Sequence, residues 1–130
     1  MAISCNKIVT YHILKNKNFD KIEFIYFLKN KLLPIISNKY ILMDNVSFHR
    51  SKDVLNLISE NNKFLFIPPY SPQFNPIENV FAIIKQKYKY LHKKKDDDDI
   101  NTIINSFNYD LCKFYNNSFN VIKKINNFFT

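Results

Sequence analysis

The chain has 130 residues, 46% of them hydrophobic, which is one domain's length with enough apolar material for a core. It contains no glycine, where average usage predicts about nine, and this excludes P-loop NTPases, Rossmann dehydrogenases and α/β-hydrolases, whose defining loops need that residue. The net charge is +8, and +12 without the acidic run Asp96 to Asp99, but lysine outnumbers arginine 18 to 1 amid abundant Asn, Ile, Phe and Tyr; AT-rich codons account for part of that excess, so charge alone assigns no partner.

No apolar run approaches the ~18 residues of a membrane span, and "MAISCNKIVTYHILK" alternates instead of forming a signal peptide's apolar block. Cys5 and Cys112 match no metal or redox spacing and read as thiols in a reducing compartment. The expectation is an intracellular protein, nuclear in a eukaryote and cytoplasmic in a bacterium.

Ile3 to Leu14 reads as a hairpin turning at "CNK". A helix follows, with Asn18 as its N-cap, Phe19, Ile22, Ile25, Leu28 and Leu32 at helical spacing, and Pro34 at its end. "KYILMD" is a short strand ending on Asp44. "SKDVLNLISENN" is a helix opened by Ser51 that turns Val54, Leu55 and Ile58 inward, and "KFLFI" is the next strand. After a loop rich in proline, Asn75 caps a helix whose first position is Pro76, and Ile77, Val80, Phe81, Ile84, Tyr88 and Leu91 form its apolar face. "HKKKDDDD" is a charge-segregated break, and the asparagine-rich remainder reads as weakly helical. The domain reading is 1–95, a linker 96–99 and a helical tail 100–130.

Two strands joined by a helical crossover are normally parallel, which puts Asp44 and the exit from the second strand, Ile67, on one edge of the sheet. Open α/β sheets place their sites at that edge. Prolines stiffen the loop Pro68 to Asn75 and favour an extended path back over the strand ends, bringing Glu78 to face Asp44. Two converging carboxylates repel unless a cation lies between them, and Mg²⁺ or Mn²⁺ suits such a pair. Blander readings compete. Asn75 to Glu78 has the spacing of a capping box, so Glu78 also fits as the partner of the Asn75 N–H. Asp44 fits as a turn former and His49 as a solvent-facing residue. His12 and His92 read as structural or surface residues, and Tyr70 and Phe74 as core anchors of the loop.

Together "LMDNVSFHRS" (42–51) and "PPYSPQFNPIENVFAIIK" (68–85) resemble the catalytic domain of Tc1/mariner and IS630-type DDE transposases, with 33 residues between Asp44 and Glu78. The resemblance covers roughly Ile3 to Leu91. It implies an α/β, RNase H-like fold in which three acidic residues hold two divalent ions for attack on DNA phosphodiesters. Asp44 matches the second acidic residue and Glu78 the third. Asn45, His49, Tyr70, Pro72, Asn75 and Pro76 match positions around the site; Gln73 and Phe81 depart mildly, from aspartate and tryptophan. The first aspartate, on a central strand preceding the opening hairpin, has no counterpart, and Asp20, Glu23, Asp53 and Glu60 lie on helices instead of strand ends.

The expectation is therefore a fold truncated at its N-terminus, lacking its first central strand, and with two of three metal ligands. Its open sheet edge is expected to pair with a second polypeptide or with another copy. The alternative function is a non-catalytic remnant holding DNA phosphates through Lys85, Lys87, Lys89, Lys93, Lys94 and Lys95.

Overall fold

The computed structural model describes residues 1–93, 99–112 and 115–116. They fall into two compact units, Met1–Ala2 with Val9–Ser71, and Ile3–Ile8 with the residues from Pro72 onward. The opening hairpin pairs β1 (Ala2–Ile3) with β2 (Ile8–Thr10), and its turn is closed by Ser4 N–H to the Lys7 carbonyl at 2.8 Å. The strand stops at Thr10, shorter than the alternation through Leu14 suggests.

In the first unit, α1 (Lys21–Phe27) is capped two residues later than expected. Asp20, not Asn18, is the N-cap, its carboxylate accepting the Glu23 N–H at 3.0 Å. That bond satisfies one of the first-turn amides that helix geometry leaves without a partner. Replacing Asp20 by alanine should cost about 1 kcal/mol in urea unfolding, while Asn18→Ala should leave the midpoint unmoved.

The buried stripe also differs from the expected one. Phe24, Phe27, Leu28 and Leu32 are buried, whereas Ile22 is 75% exposed. Phe24, Phe27 and Leu28 stand at i, i+3 and i+4, so they share one face, and Ile22, two positions before Phe24, points away from it. The stripe with two phenylalanines removes the larger apolar area and sets the rotation of the helix. From Leu28 to Leu32 the helix widens into a π turn, Leu33 N–H reaching the Leu28 carbonyl, and a 3₁₀ turn over Leu33–Ile35 carries Pro34 and ends it.

The strands β3 (Tyr40–Met43) and β4 (Lys63–Phe66) are parallel, Tyr40 level with Lys63 and Met43 with Phe66. Between them runs α2 (Lys52–Ser59). The crossover thus has the expected form. Val54 and Ile58 are fully buried on the inward face of α2 and meet Phe24, Phe27, Leu28, Leu32 and Met43 in one cluster. Each of these side chains contributes about 1.5–3 kcal/mol by leaving water. Leu55 is half-buried at its margin. Ser51 is the backbone cap of α2, but its hydroxyl makes no capping bond.

The second unit is built on α3 (Pro76–Lys93) and α4 (Ile100–Asn105), which pack together; Val80 and Ile84 of α3, Ile103 and Ile104 of α4, and Leu111 are buried. Pro76 occupies the first helical position, as its fixed φ and missing N–H favour. Tyr88 is 38% exposed at the end of the apolar face. Most of the acidic linker, residues 96–98, and most of the expected tail, residues 113–114 and 117–130, lie outside the described residues. Among the described residues no helix is long and apolar enough to cross a membrane.

Candidate metal and nucleic-acid site

Asp44 follows the last residue of β3. The ladder continues one step past β4, Ile67 N–H donating to the Met43 carbonyl at 2.8 Å, so Asp44 and the start of the proline loop share the C-terminal edge of the parallel pair. The strand direction alone produces this. Beyond Asp44 the chain folds into a 3₁₀ turn over Ser47–Arg50, closed by His49 N–H to the Val46 carbonyl at 3.1 Å. The turn brings the His49 ring back onto Asp44.

Nδ1 of His49 stands 2.7 Å from Asp44 Oδ1 and 3.1 Å from the Asp44 backbone carbonyl. A proton on Nδ1 is aligned with the carbonyl. Its approach to Oδ1 is within ion-pair distance but lacks hydrogen-bond geometry, so the carboxylate atom is buried without a hydrogen bond. Oδ1 of the neighbouring Asn45 is buried and unpartnered in the same sense. Burying such oxygens without donors is costly. A carboxylate and an amide oxygen in that state are the hard donors that Mg²⁺ and Mn²⁺ take, and the residues present fit such an ion.

His49 is held by aromatic neighbours that sequence reasoning did not assign to the site. Its ring lies 4.3 Å from that of Phe24 and 4.6 Å from that of Phe48, and Phe24 and Phe48 meet edge-on at 5.6 Å. The imidazole side chain is consequently only 14% exposed, against 47% for Asp44. The solvent-facing reading of His49 is thereby overturned. Phe48 lies inside the "VSFH" stretch and was detectable there; Phe24 has no local signal, because it arrives from α1.

The proline loop is less extended than its composition suggests. Tyr70 has a left-handed backbone, φ 56°, and Pro72–Phe74 form a 3₁₀ turn. Tyr70 is fully solvent-exposed, 102%, so it does not anchor the loop in the core. Pro69 and Pro72 restrict their own φ but leave Tyr70, between them with Ser71, free to take the left-handed step. Phe74 is half-buried.

Asn75 donates its N–H to the Pro72 carbonyl at 3.0 Å, and the Glu78 N–H goes to the Asn75 carbonyl at 3.1 Å. The donor that a capping box requires Glu78 to satisfy is therefore already bonded by the backbone. Glu78 is exposed in the first turn of α3, where the helix dipole favours a carboxylate. It belongs to the second unit, whereas Asp44, Asn45 and His49 belong to the first. Among the described residues no group of three or more His, Cys, Asp and Glu side chains is gathered as a metal site.

Of the candidate phosphate-binding lysines, Lys85, Lys89 and Lys93 are exposed along α3. Lys87 is tied inward, Nζ donating to Ser106 Oγ at 2.9 Å. Lys94 and Lys95 lie outside the described residues. His92 packs edge-on against Tyr88 at 4.0 Å. His12 lies 5.3 Å from the Tyr26 ring and 3.5 Å from Glu23, a structural setting in α1's neighbourhood.

The parallel β3–α2–β4 unit gives the chain a mixed helix and strand content compatible with an α/β fold. The sequence profile of the DDE superfamily endonucleases matches residues 1–101, and the chain belongs to that family. The mixed helix and strand content is compatible with the RNase H-like fold the family implies. A curated relative, the uncharacterized protein y4pE/y4sA of Sinorhizobium fredii (strain NBRC 101917 / NGR234), is 31% identical over 62 residues, which are 48% of this chain and 44% of the relative. The chain thus spans less than half of that relative's length. No solved structure matches the chain.

Proposed function

We propose that the chain is part of a DNA cleavage and strand-transfer domain of the Tc1/mariner and IS630 type, acting on phosphodiesters with Mg²⁺ or Mn²⁺. The observation that carries this reading is the pair of buried acceptors without hydrogen bonds, Asp44 Oδ1 and Asn45 Oδ1, at the C-terminal edge of β3. In such domains bound divalent ions supply the Lewis acidity that activates water and then a DNA 3′-hydroxyl. Asp44 is one ligand and Glu78 a second. Asn45 adds an amide oxygen. His49, held between Phe24 and Phe48, positions the Asp44 carboxylate. Among the described residues no third carboxylate is gathered with Asp44 and Glu78, which by themselves hold the ion weakly. The domain occupies residues 1–95, with 100–130 as an appended tail.

The test is relaxation of supercoiled plasmid in Mn²⁺ by the chain and by its Glu78→Gln variant. Slow relaxation by the chain, lost with Glu78→Gln, is the expected result. Relaxation that survives Glu78→Gln contradicts the ligand assignment, and relaxation by neither leaves the non-catalytic DNA-binding reading.

That second reading has its own support in the exposed Lys85, Lys89 and Lys93 and in the outward ring of Tyr70. Lysines on phosphates make affinity fall with salt, and an exposed aromatic offers a face to an unpaired base. Converting Lys85, Lys89 and Lys93 to glutamine should lower the slope of log affinity against log salt by about 0.9 for each duplex phosphate that is no longer neutralised. Lys87→Gln should change that slope little, and a fluorescence anisotropy titration at several salt concentrations separates the two.

A further inference from the structure

Cys5 and Cys112 are 107 positions apart in the chain yet meet in the second unit. Cys5 is exposed in the hairpin turn and its Sγ donates to Asn6 Oδ1 at 2.7 Å. The half-buried Cys112 Sγ lies 3.3 Å from the Cys5 carbonyl and 3.9 Å from the same Asn6 Oδ1. The two sulfurs therefore flank one oxygen atom. Three residues on, the Tyr115 hydroxyl donates to the Ile3 carbonyl at 3.3 Å, so Cys112 and Tyr115 both meet the opening hairpin. Asp110 Oδ1, accepting the Cys112 N–H at 3.0 Å, fixes the backbone that presents the thiol.

We propose that Cys5 and Cys112 are a redox modification site, a dithiol that closes to an intramolecular disulfide and joins the opening hairpin to the segment after α4. The inference is independent of the nuclease reading. The oxidant is a low-molecular-weight disulfide of the glutathione class. Cys5, the exposed thiol, attacks first: its sulfur bonds to one glutathione sulfur, the glutathione S–S bond breaks, and the other glutathione leaves carrying the Cys5 proton. Cys112 then attacks the Cys5 sulfur, and the second glutathione leaves with the Cys112 proton. Two protein thiols are oxidised and one glutathione disulfide is reduced to two thiols. Partial desolvation, followed by the Asp110 carboxylate and the neighbouring Cys5, holds the Cys112 thiol above its ordinary pKa. The thiolate is the attacking species, so closure is slow near neutrality and quickens as pH rises. The closed bridge spans a loop of about a hundred residues, which restricts the unfolded chain strongly.

The full chain is equilibrated in defined ratios of reduced to oxidised glutathione, quenched with acid, alkylated and mapped by mass spectrometry without reduction. The expected product is a Cys5–Cys112 cross-linked peptide from a monomeric species that reopens as the ratio is raised. Its effective concentration should be at least about tenfold higher in buffer than in urea, because only the fold brings the thiols together. Cys5→Ser and Cys112→Ser should each stop at a single glutathione adduct. The bridged chain should melt about 10 °C above the reduced one. Wild-type chain carrying glutathione on both cysteines, cross-links only between molecules, or equal effective concentrations with and without urea would each overturn the proposal.

Discussion

Asp44→Asn should weaken Mn²⁺ binding by at least about tenfold in isothermal titration, with the urea midpoint unchanged. Losing even an outer partner of a metal ligand typically costs 10–100-fold in affinity, and here the proposed charged ligand itself is altered. The substitution keeps the shape of the side chain, and Asp44 is 47% exposed, so packing at the end of β3 is preserved. What changes is the charge on an oxygen that lies 2.7 Å from His49 Nδ1. Glu78→Gln should produce a loss of similar size if both carboxylates hold one ion. Should Asp44→Asn bind Mn²⁺ as the wild type does, Asp44 is a turn residue and the proposed cleavage chemistry has no ligand on β3. If only Glu78→Gln is silent, α3 does not contribute to the ion and the loop has another role.

Phe24→Ala should lower unfolding free energy by about 3–5 kcal/mol, the usual range for removing a buried phenylalanine. Phe24 is 8% exposed within the cluster that joins α1, α2 and β3. It also forms one wall of the His49 ring, at 4.3 Å. The two roles separate with Phe24→Leu, which keeps most of the volume and should cost under about 1.5 kcal/mol. His49 should nonetheless lose its stacked neighbour in that variant, seen as a shift of the ring's proton resonances and a further fall in Mn²⁺ affinity. Unchanged resonances in Phe24→Leu would mean that Phe48 and the Asp44 carbonyl hold the ring without help from α1.

The parallel β-α-β unit was legible because its signals are local. A short apolar run, an amphipathic segment of about three turns and a second apolar run admit few arrangements, and β3, α2 and β4 form where they were expected. Asp44 at the strand edge follows from chain direction alone. The start of α3 was equally local, since Pro76 at the first helical position is fixed by its own ring. The α1 region was not legible to the same degree. Two stripes, one through Ile22 and one through Phe24 and Phe27, satisfy helical periodicity there, and periodicity cannot rank them. The loop was misread for a related reason: proline composition restricts φ at each proline but leaves Tyr70 and Ser71 between them undetermined, and Tyr70 takes the left-handed step.

The sequence by itself determined the superfamily and the order of the central elements, because motif spacing and turn chemistry act over a few residues. The tertiary structure decided what surrounds them. Phe24 comes from α1 to hold a histidine twenty-five residues later, the Pro72 carbonyl takes the amide that Glu78 was a candidate to satisfy, and Cys112 meets a turn at the other end of the chain. These pairings depend on which faces are buried and in what register, and that is settled by the packing of the whole chain, not by any one segment of it.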